Sequence, residues 1–269
     1  MTTRSTSDKR ATLSVVMIVK DESKRLRGCL ESVRPIADEI VVLDAGSTDE
    51  TQAIAESHGA LFYTNTDWQG FGRQRQIAQS YANCDYVLMI DADERLDETL
   101  TRSIQDVLQH PVERRHAFAI RRRNVYFGHF AYKLGRGERL HRLFARDTFE
   151  FHNQTVHESL NCDPKESVVL RGTLIHHVCE SLYHLKKKQL RYAEDWAKMK
   201  AESGKKVTLV GAHARSVFAF GREYVLHGSM FSGGLGMIIA FEAGIYTLNK
   251  YMLLWEINQN SATTTSQHS

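Results

Sequence analysis

Proline is scarce in this chain, with three in 269 residues, and no stretch is rich in proline, glycine and serine together. Collagen-like and proline-rich disordered classes are thereby excluded. Cysteine is equally thin: Cys29, Cys84, Cys162 and Cys179 lie far apart and form no C-x-x-C pair. That spacing reads as free thiols in a reducing cytosol, not as a disulfide framework. No apolar core flanked by a cleavage site opens the chain, so no secretory signal is expected. The longest uncharged stretch, Tyr224–Phe241, is broken by glycines, serines and a histidine and reads as too polar for a transmembrane helix. The glycines at 233, 234 and 236 lack the Gly-Lys-Ser/Thr ending of a phosphate loop.

What is present is a folded-protein composition, 42% hydrophobic and 25% charged, with charge unevenly spread. Residues 1–110 carry 12 basic and 18 acidic side chains, and residues 111–269 carry 23 and 14. An acidic front and a basic back predict two tasks along one chain. Leu13–Val19 is an unbroken apolar run, as for a parallel strand buried on both faces. Leu26, Leu30 and Val33 follow at helical spacing. Ile40–Leu43, Ala60–Thr64 and Tyr86–Ile90 predict further strands, with helices over Gly72–Tyr81 and from Leu96 to Leu108. Ser47-Thr48-Asp49-Glu50 reads as a capping box that opens another helix. Repeated β-α units imply an α/β fold with a mostly parallel sheet flanked by helices. Beyond residue 115, Ala117–Arg121, Arg139–Ala145 and Val168–His176 read as strands, and the chain then turns helical. The expected organisation is a nucleotide-binding and catalytic domain over 1–178, a helical C-terminal region over 179–258 and a disordered tail over 259–269.

In an open α/β sheet, ligands bind beyond the carboxyl ends of the strands. Acids gather there: Asp21 and Glu22 after the first strand, Asp44 after the second, and Asp91, Asp93 and Glu94 after the fourth. A lone strand-end acid is usually a cap or a turn residue. Three clusters at one sheet edge point to a ligand. Asp91-x-Asp93 suits a hard divalent cation, which takes one or two carboxylates plus phosphate oxygens; a solvated turn is the plain alternative.

The segments LSVVMIVKDES, EIVVLDAGSTDET, GFGRQRQIAQ and YVLMIDADE, in that order, resemble the family 2 glycosyltransferases of GT-A fold. The continuation RLHRLFAR, QTVHESL and LIHHVCESLYHLKKKQLRYA is similar to the subgroup that builds the lipopolysaccharide core. The resemblance implies a nucleotide-sugar donor (UDP-glucose), a divalent metal (magnesium or manganese) on the D-x-D element, and inversion at the anomeric carbon. The implied acceptor is the heptose region of the lipopolysaccharide inner core or another glycolipid. By the same resemblance, Asp44 contacts the uracil base, and Lys20 and Glu22 line the donor loop, where Asp21 replaces the family's usual Asn. Arg73 and Arg75 stand at the donor-side helix start, Asp91 serves donor and metal, and Asp93 is the direct metal ligand. His176 is a further candidate for donor phosphate or metal. The family's Glu-Asp pair with the catalytic base is absent, and Val156-His157-Glu158 occupies its region. Glu158 is therefore the candidate base, with His157 second.

The other histidines match no zinc pattern. Arg114–Arg146 holds ten basic residues and one acid. Such a segment suits an anionic glycolipid or membrane leaflet as well as nucleic acid. With no nucleic-acid recognition motif beside it, no nucleic-acid partner is expected. Leu235–Glu256 is apolar almost all round, so it is either a core helix or one lying in the membrane interface with Tyr246, Tyr251 and Trp255 at headgroup level. The expected location is peripheral, on the cytoplasmic face of the inner membrane.

Overall fold

Strand β1 (Leu13–Val19) lies between β2 (Glu39–Asp44) and β4 (Tyr86–Met89), parallel to both, with Val15 opposite Ile40 and Leu88. The computed structural model describes residues 10–110, 116–132, 138–152, 160–163 and 167–266. Strand β3 (Leu61–Thr64) extends the parallel set beyond β2. Helices α1 (Ser23–Val33), α2 (Thr51–Ser57), α3 (Phe71–Ser80) and α4 (Glu98–Gln109) fall between or after these strands.

Both faces of the central strands β1, β2 and β4 are covered, which explains their largely apolar sequence. Leu13, Val15, Met17 and Val19 belong to a core with Leu26, Leu30, Ile54, Leu100 and Ile104 from α1, α2 and α4. Val16, Val41, Leu43, Val87 and Met89 share the other core with Ala78 of α3 and Phe144. Fully burying a Val, Leu, Ile or Met side chain is worth ~1.5–3 kcal/mol. These strands therefore carry much of the fold's stability.

The remaining strands are β5 (Glu94–Leu96), β6 (Phe118–Tyr126), β7 (His129–Phe130), β8 (Glu138–Ala145), β9 (Val168–Val169) and β10 (Leu174–Cys179). The sheet order is β3-β2-β1-β4-β8-β6-β10-β5, with β7 and β9 paired to β6. β8 runs antiparallel to β4 and β6. Strand order reverses at β1, so the ligand crevice of such a sheet falls at the carboxyl ends of β1 and β4.

Two sequence expectations need correcting. The single strand expected over Val168–His176 is two, separated at Gly172, whose φ is +97°. A side chain there would place Cβ 2.2 Å from the Leu100 backbone nitrogen, so only glycine fits. The capping box does not form either. The N-cap of α2 is Glu50, which makes no side-chain cap, and the Ser47 hydroxyl is turned to Asp44 instead.

The chain divides into two compact units, one of Met1–Arg123 and Glu138–His176, the other of Asn124–Gly137 and His177–Ser269. The second holds three long helices: α5 (Leu182–Glu202), α6 (Leu209–Gly221) and α7 (Gly233–Ser266). Ser181 caps α5 by accepting from the His184 amide, and Thr208 caps α6 by accepting from the Gly211 amide. After Gly221 the chain passes through a π turn and reaches Gly228, whose φ of +78° ends the run. Ser229–Asn260 is long and apolar enough to cross a membrane by length and composition, a test that core helices of soluble proteins also pass.

Candidate active site

The loop after β1 is built on a residue that pays conformational strain. Asp21 has φ +53°, in the left-handed region where Asn and Asp are the best-tolerated non-glycine residues. Its Oδ1 accepts from the Thr48 amide at 2.8 Å, and its own amide donates to Ser47 Oγ at 2.8 Å. Asp21 thus ties the β1 loop to the β2 loop, a role that Asn fills with the same geometry. Asp44, buried at the end of β2, accepts from the Gly46 and Ser47 amides at 2.8 Å each and from the Ser47 hydroxyl. Its carboxylate is thereby fixed in orientation at the crevice.

Asp49 joins two helices. It accepts from the first amide of α1, Ser23, at 3.1 Å and from the first amide of α2, Thr51, at 3.0 Å, as well as from the Thr51 hydroxyl. Desolvation would raise its pKa, but the bonds from Thr51 and Ser23 outweigh it and lower the value from 3.8 to about 2. A depressed carboxyl stabilises the fold above its unfolded value and loses that contribution as pH falls toward the folded value. Asp49→Ala is expected to cost ~1 kcal/mol, in the range of a lost helix cap. In thermal melts the gap from the parent protein should be full at neutral pH and close below the unfolded value of 3.8.

The acids of the Asp91–Glu94 turn are met by basic side chains from five separate elements. Asp91 Oδ1 accepts from Arg75 Nη2 (α3) at 2.8 Å, and Oδ2 accepts from Arg142 Nη2 (β8) at 3.1 Å. Burial pushes the Asp91 carboxyl up, but the two guanidinium groups prevail and hold it well below the usual carboxylate range. Fully buried Glu94 accepts from the Asp91 amide at 3.0 Å and from Arg122 Nη1 (β6) at 3.3 Å. Desolvation and the nearby Asp91 charge raise the Glu94 pKa. Asp93 Oδ2 lies 3.4 Å from His176 Nε2 (β10) and 3.9 Å from Arg25 Nη1 (α1).

This arrangement can be tested for a divalent cation. Neighbouring ligands on an octahedral ion with ~2.1 Å bonds stand about 3 Å apart, and the Asp93 oxygen and His176 nitrogen are at 3.4 Å. The pair therefore fits two adjacent positions on one ion. Among the described residues no group of three or more His, Cys, Asp or Glu converges as a ligand set. A site with two protein ligands leaves the other positions to phosphate oxygens and water, as small hard cations prefer. Both Asp91 oxygens, by contrast, are engaged by arginines.

The structure thus brings together Arg75, Asp91, Asp93 and His176 and sets Asp44 and Glu22 in the neighbouring strand-end loops. Lys20 and Arg73 are solvent-exposed, and among the described residues Arg73 bonds only to Gln76 on its own helix, at 3.2 Å. Arg75 is the buried member of that pair. Glu158 and His157 lie outside the described residues. Sequence reasoning missed Arg122, Arg142 and Arg25 as site residues. The one available signal for Arg122 and Arg142 was the run of basic residues in strands β6 and β8.

Strand order, flanking helices and the Asp91-x-Asp93 element after β4 define a GT-A type of α/β fold. Residues 14–162 match the family described as Glycosyl transferase family 2. An uncharacterized glycosyltransferase of Rickettsia prowazekii is 30% identical over 225 residues, 80% of this chain and 76% of that one. The lipopolysaccharide core biosynthesis glycosyltransferase LpsC of Rhizobium meliloti is 28% identical over 240 residues, 87% of this chain and 88% of its own. Among solved structures, glucosyl-3-phosphoglycerate synthase of Mycobacterium tuberculosis, in complex with Mn2+, UDP and glucosyl-3-phosphoglycerate, is 24% identical. That match covers 44% of this chain and 45% of the other, less than half of each, with a TM-score of 0.35. The chain belongs to glycosyltransferase family 2 and is a glycosyltransferase.

Proposed function

We propose that this enzyme is an inverting, metal-dependent hexosyltransferase that moves glucose from UDP-glucose to the heptose region of a lipopolysaccharide inner core. The observation that carries the metal-dependent donor site is the Asp93–His176 pair at the carboxyl end of β4, beside an Asp91 oriented by two arginines. The similarity to LpsC over most of both chains supports the acceptor class. Transfer of another sugar to a related glycolipid is the second reading.

In this assignment Asp44 receives the uracil end of the donor, and Lys20 and Glu22 border it. Asp93 and His176 would hold the ion. When bound, magnesium or manganese supplies positive charge against that which develops on the departing UDP. Arg75 and Arg142 keep Asp91 ionised and immobile, which spares reorganisation during the reaction. Glu158, with His157 as second candidate, takes the proton from the acceptor hydroxyl. Glu158→Gln is expected to lower kcat and leave UDP affinity intact, as read by turnover and by calorimetry. A near-normal kcat together with an inactive His157→Ala would exchange the two roles. In this reading the enzyme works peripherally at the cytoplasmic face of the inner membrane.

The test is UDP release with purified lipopolysaccharide acceptor, comparing UDP-glucose, UDP-galactose and their N-acetyl analogues, with and without a chelator. Metal-dependent release, fastest with UDP-glucose, is expected. Preference for another donor selects the second reading. No release from any donor, with anionic lipid or nucleic acid bound instead, would point to a non-catalytic binding module.

A further inference from the structure

The helical unit carries a group of cations that enter no ion pair among the described residues. Lys250 Nζ lies 4.5 Å from the Trp196 ring centre and 5.1 Å from that of Tyr246. Lys205 Nζ is 5.4 Å from both Trp196 and Tyr251, and the Arg215 guanidinium is 5.0 Å from Tyr251. Trp196 and Tyr251 meet edge to face at 5.0 Å, which fixes the centre of the cluster. The backbone of Lys205 is pinned as well: its amide donates to the Lys200 carbonyl at 3.0 Å, and its carbonyl accepts from Asn258 Nδ2 at 3.2 Å. Among the described residues Lys205, Arg215 and Lys250 enter no ion pair, and three carboxylates of the same unit have other partners. Glu194 pairs with Lys198, Glu242 with Lys186, and Glu223 with His227. Three like charges gathered on aromatic faces are repulsive unless an anion joins them.

An apolar hairpin continues from this cluster. Ser216 Oγ of α6 donates to the Gly244 carbonyl of α7 at 2.8 Å, and the Phe220 and Phe241 rings meet at 4.9 Å, so the two helices pack antiparallel. Beyond that crossing Phe218, Leu226, Phe231 and Phe241 are each more than half exposed. Of the charged side chains on this part, Glu242 is buried against Lys186, and Glu223 is bonded to His227 and Ser229. Arg222 is long enough to snorkel. The turns from Leu235 to Ile245 span about 16 Å at 1.5 Å per residue. One leaflet of a bilayer's hydrocarbon core is about 15 Å deep. A hairpin buried to that depth leaves Tyr246, Lys250 and Tyr251 at headgroup level.

We propose that Trp196, Lys205, Arg215, Tyr246, Lys250 and Tyr251 form a binding site for the phosphate of an anionic membrane lipid, set at headgroup depth by the α6–α7 hairpin. The proposal rests on the peripheral-membrane reading above and adds a named site to it. The test is flotation of the full chain with phosphatidylcholine vesicles, with and without phosphatidylglycerol. Each of Lys205→Gln, Arg215→Gln and Lys250→Gln should weaken binding to the phosphatidylglycerol vesicles about fivefold, the equivalent of ~1 kcal/mol per basic residue near an anionic surface. Lys250→Arg should restore it. Lys198→Gln removes the same charge from an exposed, paired site and should change nothing. Soluble glycerol phosphate should not displace the protein from vesicles. If the parent protein floats and the three cluster variants match it, or match Lys198→Gln, the site is overturned and the membrane reading stands. Displacement by soluble glycerol phosphate would instead make the cluster a site for a free phosphate ester. If the parent floats with neither vesicle, both readings fail.

Discussion

Asp93→Asn is expected to reduce turnover by on the order of 10³-fold, the upper end of the loss usually seen when one preorganised charge-stabilising donor is removed. The substitution keeps the side-chain volume but removes the charge that, with His176, would hold a divalent ion. Metal-dependent UDP binding should disappear in calorimetry with magnesium or manganese, and metal-independent binding should be unchanged. Stability should change little, because Asn fills the same volume and the Asp93–Arg25 contact is long, 3.9 Å. Asp91→Asn should behave differently. Its carboxylate bridges Arg75 and Arg142, so its loss leaves two guanidinium groups facing each other, and the melting temperature should fall along with activity. Donor affinity and turnover unchanged in Asp93→Asn would remove the ion from Asp93. A variant that loses activity only through unfolding would show it in the melt.

What the sequence shows of this fold follows from physics that is local. The runs Leu13–Val19 and Tyr86–Met89 are apolar at every position but Ser14 because both of their faces are buried, and that pattern is visible without coordinates. The acids after β1, β2 and β4 are legible because topology alone sends strand ends to a common edge. The cations that orient those acids are not legible, since Arg142 and Arg122 reach Asp91 and Glu94 from 51 and 28 residues away. Arg73 and Arg75 stand two apart in the sequence, yet the turn of α3 buries one and exposes the other. The capping box failed for a similar reason. Its serine had a stronger local partner in Asp44, three residues back, and Asp49 supplied the capping oxygens instead.

Arg122→Met is expected to destabilise the fold by ~3–5 kcal/mol at neutral pH, the usual cost of stripping one partner from a buried ion pair. Arg122 bonds Glu94 at 3.3 Å and Glu138 at 2.6 Å. Glu138 is exposed enough to find water, so the cost falls on Glu94, whose side chain has no solvent access. The pH dependence identifies that cause. Desolvation and the Asp91 charge already place the Glu94 pKa above 4.5, with Arg142 and Arg122 opposing them. A carboxyl with a raised folded value contributes stability that is complete below its unfolded value and lost as pH rises through the folded one. Removing Arg122 raises the folded value further and lengthens that window. The difference in melting temperature between Arg122→Met and the parent should therefore be smallest at acid pH, where protonation of Glu94 removes the charge, and grow toward alkaline pH. Adding Glu94→Gln, which is neutral at every pH, should recover most of the loss and flatten its pH dependence. An Arg122→Met variant equally destabilised from acid to alkaline pH would show that Arg122 acts through packing, with no charge debt at Glu94.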